Sequence, residues 1–305
     1  MRILPCIQAA GTVAMSVSLS LGASGAIHMP ERAEPTGTNH QSSTQTTPSE
    51  ESPTEEILVR VAAVAEHPGI TPGGTVWVGI RFDIKEGWHT YWPGQNDTGF
   101  GTQIEPSGPQ TLTFGAVRWP APHRHTAPGD ILDHVHSGSV LALIPVTASP
   151  GVEVGSDLDL SFDLAWLVCD SVCIPGWETV TLTLPVVDEM PAPDPASAGV
   201  FAAARARIPE PVPQGERVVT IDWVKQPGSG GKAVRIRARG AFRMAFYPDP
   251  DCTRVRALLS DGTAESDQLL LRFEEQEATL SGVVEVFSRD GLSRVYRVRS
   301  EAGGA

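Results

Sequence analysis

Hydrophobic and polar residues alternate along much of the chain from residue 58 onward, and a period of two is typical of β-strands with one buried face. The alternation is strictest in residues 75–84, where apolar side chains occupy every second position from Val76 to Ile84. Further strands, separated by turn signals rich in Pro and Gly, are predicted at 58–65, 88–92, 139–147, 157–169 and 178–187. Short strands at this spacing predict a β-sandwich.

A second series of strands follows further along the chain. These strands are predicted at 217–223, 233–238, 242–247, 269–273, 278–287 and 294–299. Between the two series, residues 189–213 are rich in proline and contain the alanine-rich run 201–208, which predicts a linker with one short helix. The expected fold class is therefore all-β, with sandwiches at 55–188 and 214–300 joined by this linker.

The N-terminal segment has the layout of a secretory signal peptide over residues 1–26. Arg2 precedes an uncharged apolar run, which ends in small residues near Ala26. Residues 27–54 are rich in Ser, Thr, Pro and Gln, a composition that predicts a disordered tether. No other stretch approaches the roughly 20 uncharged apolar residues of a membrane helix. We expect an exported protein, periplasmic or otherwise outside the cytoplasm, that is soluble once the signal peptide is removed.

Charge and motifs exclude several classes of function. The formal net charge is −13, and a surface of that sign argues against nucleic acid as a partner. The sequence contains neither the nucleophile elbow of hydrolases nor a phosphate-binding loop. Hydrolysis and phosphoryl transfer therefore have no support.

The candidate chemistry lies in a close cysteine pair. Cys169 and Cys173 are four residues apart at the end of the predicted strand 157–169, and outside the cytoplasm such a pair can oxidise. Closing so short a loop stabilises a fold by only about 2 kcal/mol on the loop-entropy model. Thiol–disulfide exchange is therefore favoured over a structural role, although a passive disulfide at a strand turn remains the alternative.

The strand pattern also predicts how the pair is exposed. Polar residues at odd positions of 157–169 face away from the core, so we expect Cys169 on the accessible side. No Lys or Arg lies between the two cysteines, so nothing local marks either as a strongly activated nucleophile. This suits a disulfide that other proteins attack.

Three motifs in order carry a family resemblance. They are residues 87–99 (GWHTYWPGQNDTG), 117–122 (VRWPAP) and 166–176 (WLVCDSVCIPG). Together they resemble the N-terminal periplasmic domain of the thiol:disulfide interchange protein DsbD and of its copper-tolerance relatives of the ScsB type. The likeness covers about residues 55–187, and the ScsB-type members also carry a second β domain.

The resemblance implies an immunoglobulin-like sandwich with a redox-active Cys169–Cys173 disulfide and no other cofactor. By the family pattern, Cys173 forms the mixed disulfide with a partner and Cys169 resolves it. The implied partners are a membrane electron-transfer protein of the DsbD/CcdA type and periplasmic thioredoxin-fold proteins, in processes such as cytochrome c biogenesis or copper tolerance. A cap loop should shield the cysteines at roughly Pro122–His136.

The family's membrane and thioredoxin-like domains have no counterpart up to Ala305. We therefore expect a stand-alone relay component that finds its electron donor in trans, rather than a self-sufficient enzyme.

Histidines in the expected cap raise a second class of function, a periplasmic copper- or zinc-binding or protein-interaction module with a structural disulfide. The candidate ligands, which the cysteines would join, are His123, His125, His134 and His136. We expect instead a polar exposed loop without a metal, because nothing in the sequence makes these side chains converge. His89 is expected to be a packed strand residue, and Cys252 an unpaired thiol without an assigned function.

Overall fold

The computed structural model describes residues 56–213, 218–225 and 231–302. The predicted signal peptide and tether lie outside the described residues. The strands of the first half are β1 (Val59–Ala65), β2 (Thr75–Ile84), β3 (His89–Tyr91), β4 (Gln103–Ser107), β5 (Leu112–Phe114), β6 (His123–Ala127), β7 (Ile131–His136), β8 (Ser139–Ala148), β9 (Asp157–Cys169) and β10 (Cys173–Pro185).

These ten strands form two facing sheets. One sheet has the order β1-β2-β8-β5, and the other has the order β10-β9-β3-β7-β6, with β4 also paired to β9. All of the pairings are antiparallel. Most of the buried residues of β2 and β9 are those that alternation predicts, including Val78, Ile80, Leu160, Phe162 and Leu164. The period of two is thus the signal that builds this core.

A helix follows the first sandwich and packs on its outer surface. Helix α1 (Pro195–Arg207) starts six residues before the predicted run, because the Asp194 side chain accepts a hydrogen bond from the Ala196 amide and caps the first turn. Its buried residues Phe201 and Ala204 contact Leu141 and Leu143 of β8.

The second half is also built of strands. Its elements are β11 (Glu210–Pro211), β12 (Val219–Lys225), β13 (Lys232–Ala238), β14 (Arg243–Pro248), α2 (Leu258–Asp261), β15 (Thr263–Ala264), β16 (Gln268–Arg272), β17 (Thr279–Phe287) and β18 (Ser293–Glu301). They form the sheets β11-β18-β17-β14-β15 and β12-β13-β16. The all-β fold class is confirmed.

The two halves are in direct contact. Tyr247, Val283 and Val295 of the second half are buried in the same hydrophobic cluster as the core of the first half. Within the described residues, no helix has the length and apolar character needed to cross a bilayer.

The segment expected as an exposed cap loop is a β-hairpin, so the loop prediction was wrong. Strands β6 and β7 pair along their length, and the turn between them uses positive φ angles of 91° at Gly129 and 60° at Asp130. Strand β6 could not be predicted from the sequence because its residues are polar and mostly exposed, so they show no alternation of apolar and polar positions.

We expect Phe201→Ala to lower the free energy of unfolding by about 3 kcal/mol, because the ring is fully buried against β8. Chemical denaturation measures the change. Val200→Ala is the matched control, since Val200 is its exposed neighbour on the same helix. Equal destabilisation by the two variants would contradict the packing of α1 on the first sandwich.

Candidate functional site

Strand pairing brings the two cysteines together. Cys169 is the last residue of β9 and Cys173 the first of β10, and the antiparallel register places them directly opposite each other. They form a disulfide bond. The connecting turn is closed by a 3.1 Å hydrogen bond from the Asp170 amide to the Val172 carbonyl. The disulfide therefore closes the tip of the β9–β10 hairpin.

The two sulfur-bearing residues differ strongly in exposure. Cys173 is exposed, whereas Cys169 is only 1% exposed, so the expectation that Cys169 lies on the accessible side was wrong. The odd positions of β9 do face outward at Asp157, Asp159 and Asp163. At the end of the strand, however, Cys169 packs into a small buried cluster with Tyr91 and Val135.

Tyr91 is the side chain that contacts the disulfide most directly. Its hydroxyl donates a hydrogen bond to Cys169 Sγ at 3.3 Å and lies 3.8 Å from Cys173 Sγ. Burial raises the pKa of Tyr91 above its usual value of 10, so the hydroxyl stays protonated. A neutral donor therefore lies beside both sulfur atoms.

Neighbouring residues hold Tyr91 in place. Its hydroxyl lies 3.4 Å from Thr98 Oγ1, and Thr98 in turn donates to the buried Asp133 from its hydroxyl at 2.6 Å and its amide at 3.0 Å. Gly99 packs against the aromatic ring so closely that a Cβ there would lie 2.2 Å from ring atoms. Tyr91, Thr98 and Gly99 all lie in the motif 87–99, but the motif alone does not indicate their contacts with the disulfide and with one another.

The four cap histidines do not converge. In the β6–β7 register, His123 lies opposite Val135 and His125 opposite Asp133, on the face of the sheet that carries the cysteines. His134 and His136 alternate with Val135 and are buried on the other face. The expected exposed setting was wrong for these two. Across the described parts of the chain, no three His, Cys, Asp or Glu side chains are arranged to hold a metal ion.

His134 and His136 contact backbone carbonyls and aromatic rings of the fold rather than the disulfide. The His134 ring lies 2.6 Å from the Gln95 carbonyl, and the His136 ring lies 3.0 Å from the Pro120 carbonyl and stacks on Trp119. Burial lowers the pKa of each to about 4. Both imidazoles are therefore neutral at neutral pH.

His89 lies beside the disulfide on β3, directly opposite Cys169. It is buried, as the sequence predicts, and its ring lies 4.6 Å from that of His125 and 5.5 Å from that of Tyr91. Burial and the neighbouring His125 lower its pKa. The rings of Tyr91 and His89 thus lie on the inner side of the disulfide.

The outer side of the disulfide carries exposed apolar residues. Val172 is 58% exposed, Ile174 41% and Trp177 76%, and all three lie within four residues of Cys173. We call these three residues the apolar rim. Cys252, by contrast, is buried in the second half, where burial raises its thiol pKa to about 11. It takes no part in this site.

Comparisons with known proteins agree with the resemblance stated from the motifs. Residues 56–185 match the family model described as thiol:disulfide interchange protein DsbD, N-terminal. A search of curated proteins by sequence finds no match.

Solved structures include similar folds. The N-terminal periplasmic domain of ScsB from Proteus mirabilis shares 16% identity, with a TM-score of 0.54 over 81% of this chain and 94% of that one. At this identity the likeness shows the fold. The reduced DsbD N-terminal domain of Neisseria meningitidis shares 15% identity over 43% of this chain and 89% of that one, with a TM-score of 0.26.

Acidification should destabilise the fold through His134 and His136. The folded pKa of each is about 4, against 6.5 for a histidine in the unfolded chain, so between these pH values the unfolded chain binds protons that the folded chain does not. Stability is complete above the unfolded pKa and falls toward pH 4, by about 3 kcal/mol per histidine. Denaturant unfolding measured across this window checks the prediction.

His136→Phe keeps a ring against Trp119 but removes the titrating group, and it should flatten the pH dependence of stability. A His136→Phe slope equal to that of the wild type would contradict the assignment.

Proposed function

We propose that this DsbD-type domain, residues 56–185, passes reducing equivalents between partner proteins through the Cys169–Cys173 disulfide. The family match and the disulfide support a thiol–disulfide interchange module. One observation carries the proposal furthest, namely that the exposed Cys173 is bonded to the buried Cys169, whose sulfur receives a hydrogen bond from Tyr91. Such an asymmetric disulfide directs attack to one atom.

Reduction begins at Cys173. An incoming thiolate attacks Cys173 Sγ, forms a mixed disulfide with it and breaks the bond to Cys169, whose sulfur takes the electron pair and leaves as a thiolate. That thiolate is buried, so it needs a hydrogen-bond donor to offset its desolvation. The Tyr91 hydroxyl is the donor in place, at 3.3 Å.

Reduction is completed when the second thiol of the donor protein attacks its own sulfur in the mixed disulfide. The donor leaves oxidised, and both cysteines of this domain are then reduced. Electrons pass on to an acceptor by the reverse steps. Cys173 attacks the disulfide of an oxidised acceptor, and Cys169 then resolves the mixed disulfide. Two electrons and two protons enter from the donor and leave to the acceptor, and the Cys169–Cys173 disulfide is restored.

The apolar rim favours a protein as the reaction partner. A partner whose sulfur reaches Cys173 approaches the face of β10 that also carries the exposed Trp177, next to the exposed Val172 of the turn. Exposed aromatic and aliphatic side chains around a central contact are typical of protein interfaces. A thioredoxin-fold protein fits this role, with a membrane electron-transfer protein of the DsbD/CcdA type as donor in trans. We place the domain in the periplasm.

Trapping experiments test the assigned roles. Cys169→Ala should form a stable mixed disulfide with a thioredoxin-fold protein that lacks its resolving cysteine, and Cys173→Ala should form none. Non-reducing electrophoresis and mass spectrometry detect the adduct, with Cys252→Ala as the control that leaves trapping unchanged. If excess strong dithiol fails to reduce the native disulfide, the proposed function is wrong.

Tyr91→Phe should slow reduction of the disulfide by small dithiols about tenfold, because a hydrogen bond to a charged sulfur contributes about 1.5 kcal/mol or more. Quenched-flow alkylation of the released thiols measures the rate. Tyr296→Phe is the control, since Tyr296 is a buried tyrosine on β18 in the second half. Equal rates for Tyr91→Phe and the wild type would remove Tyr91 from the mechanism.

A further inference from the structure

The loop that holds Tyr91 is fixed to β7. In this loop, residues 94–98, Asn96 Oδ1 accepts from the His134 amide at 2.7 Å and Asp97 Oδ2 from the Leu132 amide at 2.8 Å. Thr98 adds its two bonds to Asp133. Because these bonds end on three consecutive residues of β7, the 94–98 loop and the β6–β7 hairpin behave as one unit around Tyr91.

The same loop is also fixed to the second half of the chain. The Gln95 amide nitrogen of the backbone donates to the Pro248 carbonyl at 2.9 Å, and the Gln95 side chain donates to the Cys252 carbonyl. Arg254 pairs with Asp97 at 3.1 Å. These bonds all end on residues 248–254, which comprise the last residue of β14 and the segment that follows it.

Arg124 makes a second connection from the hairpin. Its Nη2 donates to the carbonyls of Leu258 and Leu259 at 2.9 Å each, at the short helix α2. Burial lowers the pKa of this guanidinium, and its Nη1 is buried without a partner among the described residues. A desolvated cation is costly unless its bonds are made, so this contact holds the hairpin to α2.

We propose that the second sandwich is the platform that positions the Tyr91 hydroxyl on Cys169, with Gln95 and Arg124 as the positioning residues. The proposal rests on the exchange function proposed above. The hydrogen bonds of the Gln95 and Arg124 side chains within the described chain all end on the second half. Both side chains belong to the unit that surrounds Tyr91.

The direction of the effect follows from the exposure of the cysteines. Cys173 is already open to attack, so loosening the hairpin does not improve access to it. Loosening the hairpin does lower the fraction of time for which the Tyr91 hydroxyl is hydrogen-bonded to Cys169 Sγ. Loss of either positioning residue should therefore slow reduction and raise the pKa of the Cys169 thiol in the reduced protein.

The test uses the full chain with Cys6→Ala and Cys252→Ala throughout, so that only the thiols of Cys169 and Cys173 react. Gln95→Leu and Arg124→Gln should each slow reduction by dithiothreitol about threefold to tenfold. In a Cys173→Ser background, each should also raise the pKa of Cys169, read from thiolate absorbance. Arg124→Lys, which keeps one cationic donor, should recover part of both effects.

Arg256→Gln is the matched control. Arg256 lies in the same segment as Arg254 but pairs with Glu274 of the second half, so its loss should change neither the rate nor the Cys169 pKa. Thermal melts identify any variant that fails to fold. Gln95→Leu and Arg124→Gln test the proposal independently of each other.

The deciding measurement is a double-mutant cycle with Tyr91→Phe. If Gln95 and Arg124 act through the Tyr91 hydroxyl, their replacement should have no further effect once that hydroxyl is gone. If the effects are additive, or if the folded single variants react at the wild-type rate, the proposed role of the second sandwich is wrong. The exchange function would be unaffected by either result. A wild-type disulfide that no dithiol reduces overturns the exchange function itself.

Discussion

Strand β9 is the element on which the arrangement of the site depends. It pairs with β10 along its whole length on one edge, and with β4 and β3 in succession on the other. Its even positions fill the core, while its last residue, Cys169, meets His89 of β3 and Cys173 of β10 in a single row across the sheet. Because a shift of one residue would reverse every side chain, the core and the disulfide are fixed by the same register.

Alternation in the sequence was sufficient to locate the long strands of the first half, and β2 and β9 have the bounds that the pattern predicts. It failed where strands are short or polar. Neither β4 nor β6 has a clear apolar face, since β4 is exposed or half-buried throughout and β6 carries His123, Arg124 and His125. Pairing with neighbours, rather than burial, holds these strands in the sheet.

The site, like the fold, has features that the sequence pattern predicts and features that it does not. The close cysteine pair is evident from its spacing, but the unequal exposure of Cys169 and Cys173 could not be predicted from it. It arises from Tyr91 and Val135, which are 78 and 34 positions before Cys169 and reach it only through the sheet order. The likeness of residues 87–99 to a family motif marked Tyr91 without giving its role. Contacts of Gln95 and Arg124 with the second sandwich depend on packing between distant segments, which no local pattern encodes.

The position of β10 has a consequence for the protein at high concentration. This strand is the edge of its sheet, and an edge with free backbone donors and acceptors is a template for pairing with a second copy. Pro175 removes one donor beside Cys173, and Glu178 places a charge a few residues further on. Both features discourage two molecules from joining edge to edge. The strand that begins at Cys173 thus carries two features that oppose edge-to-edge pairing with a second copy.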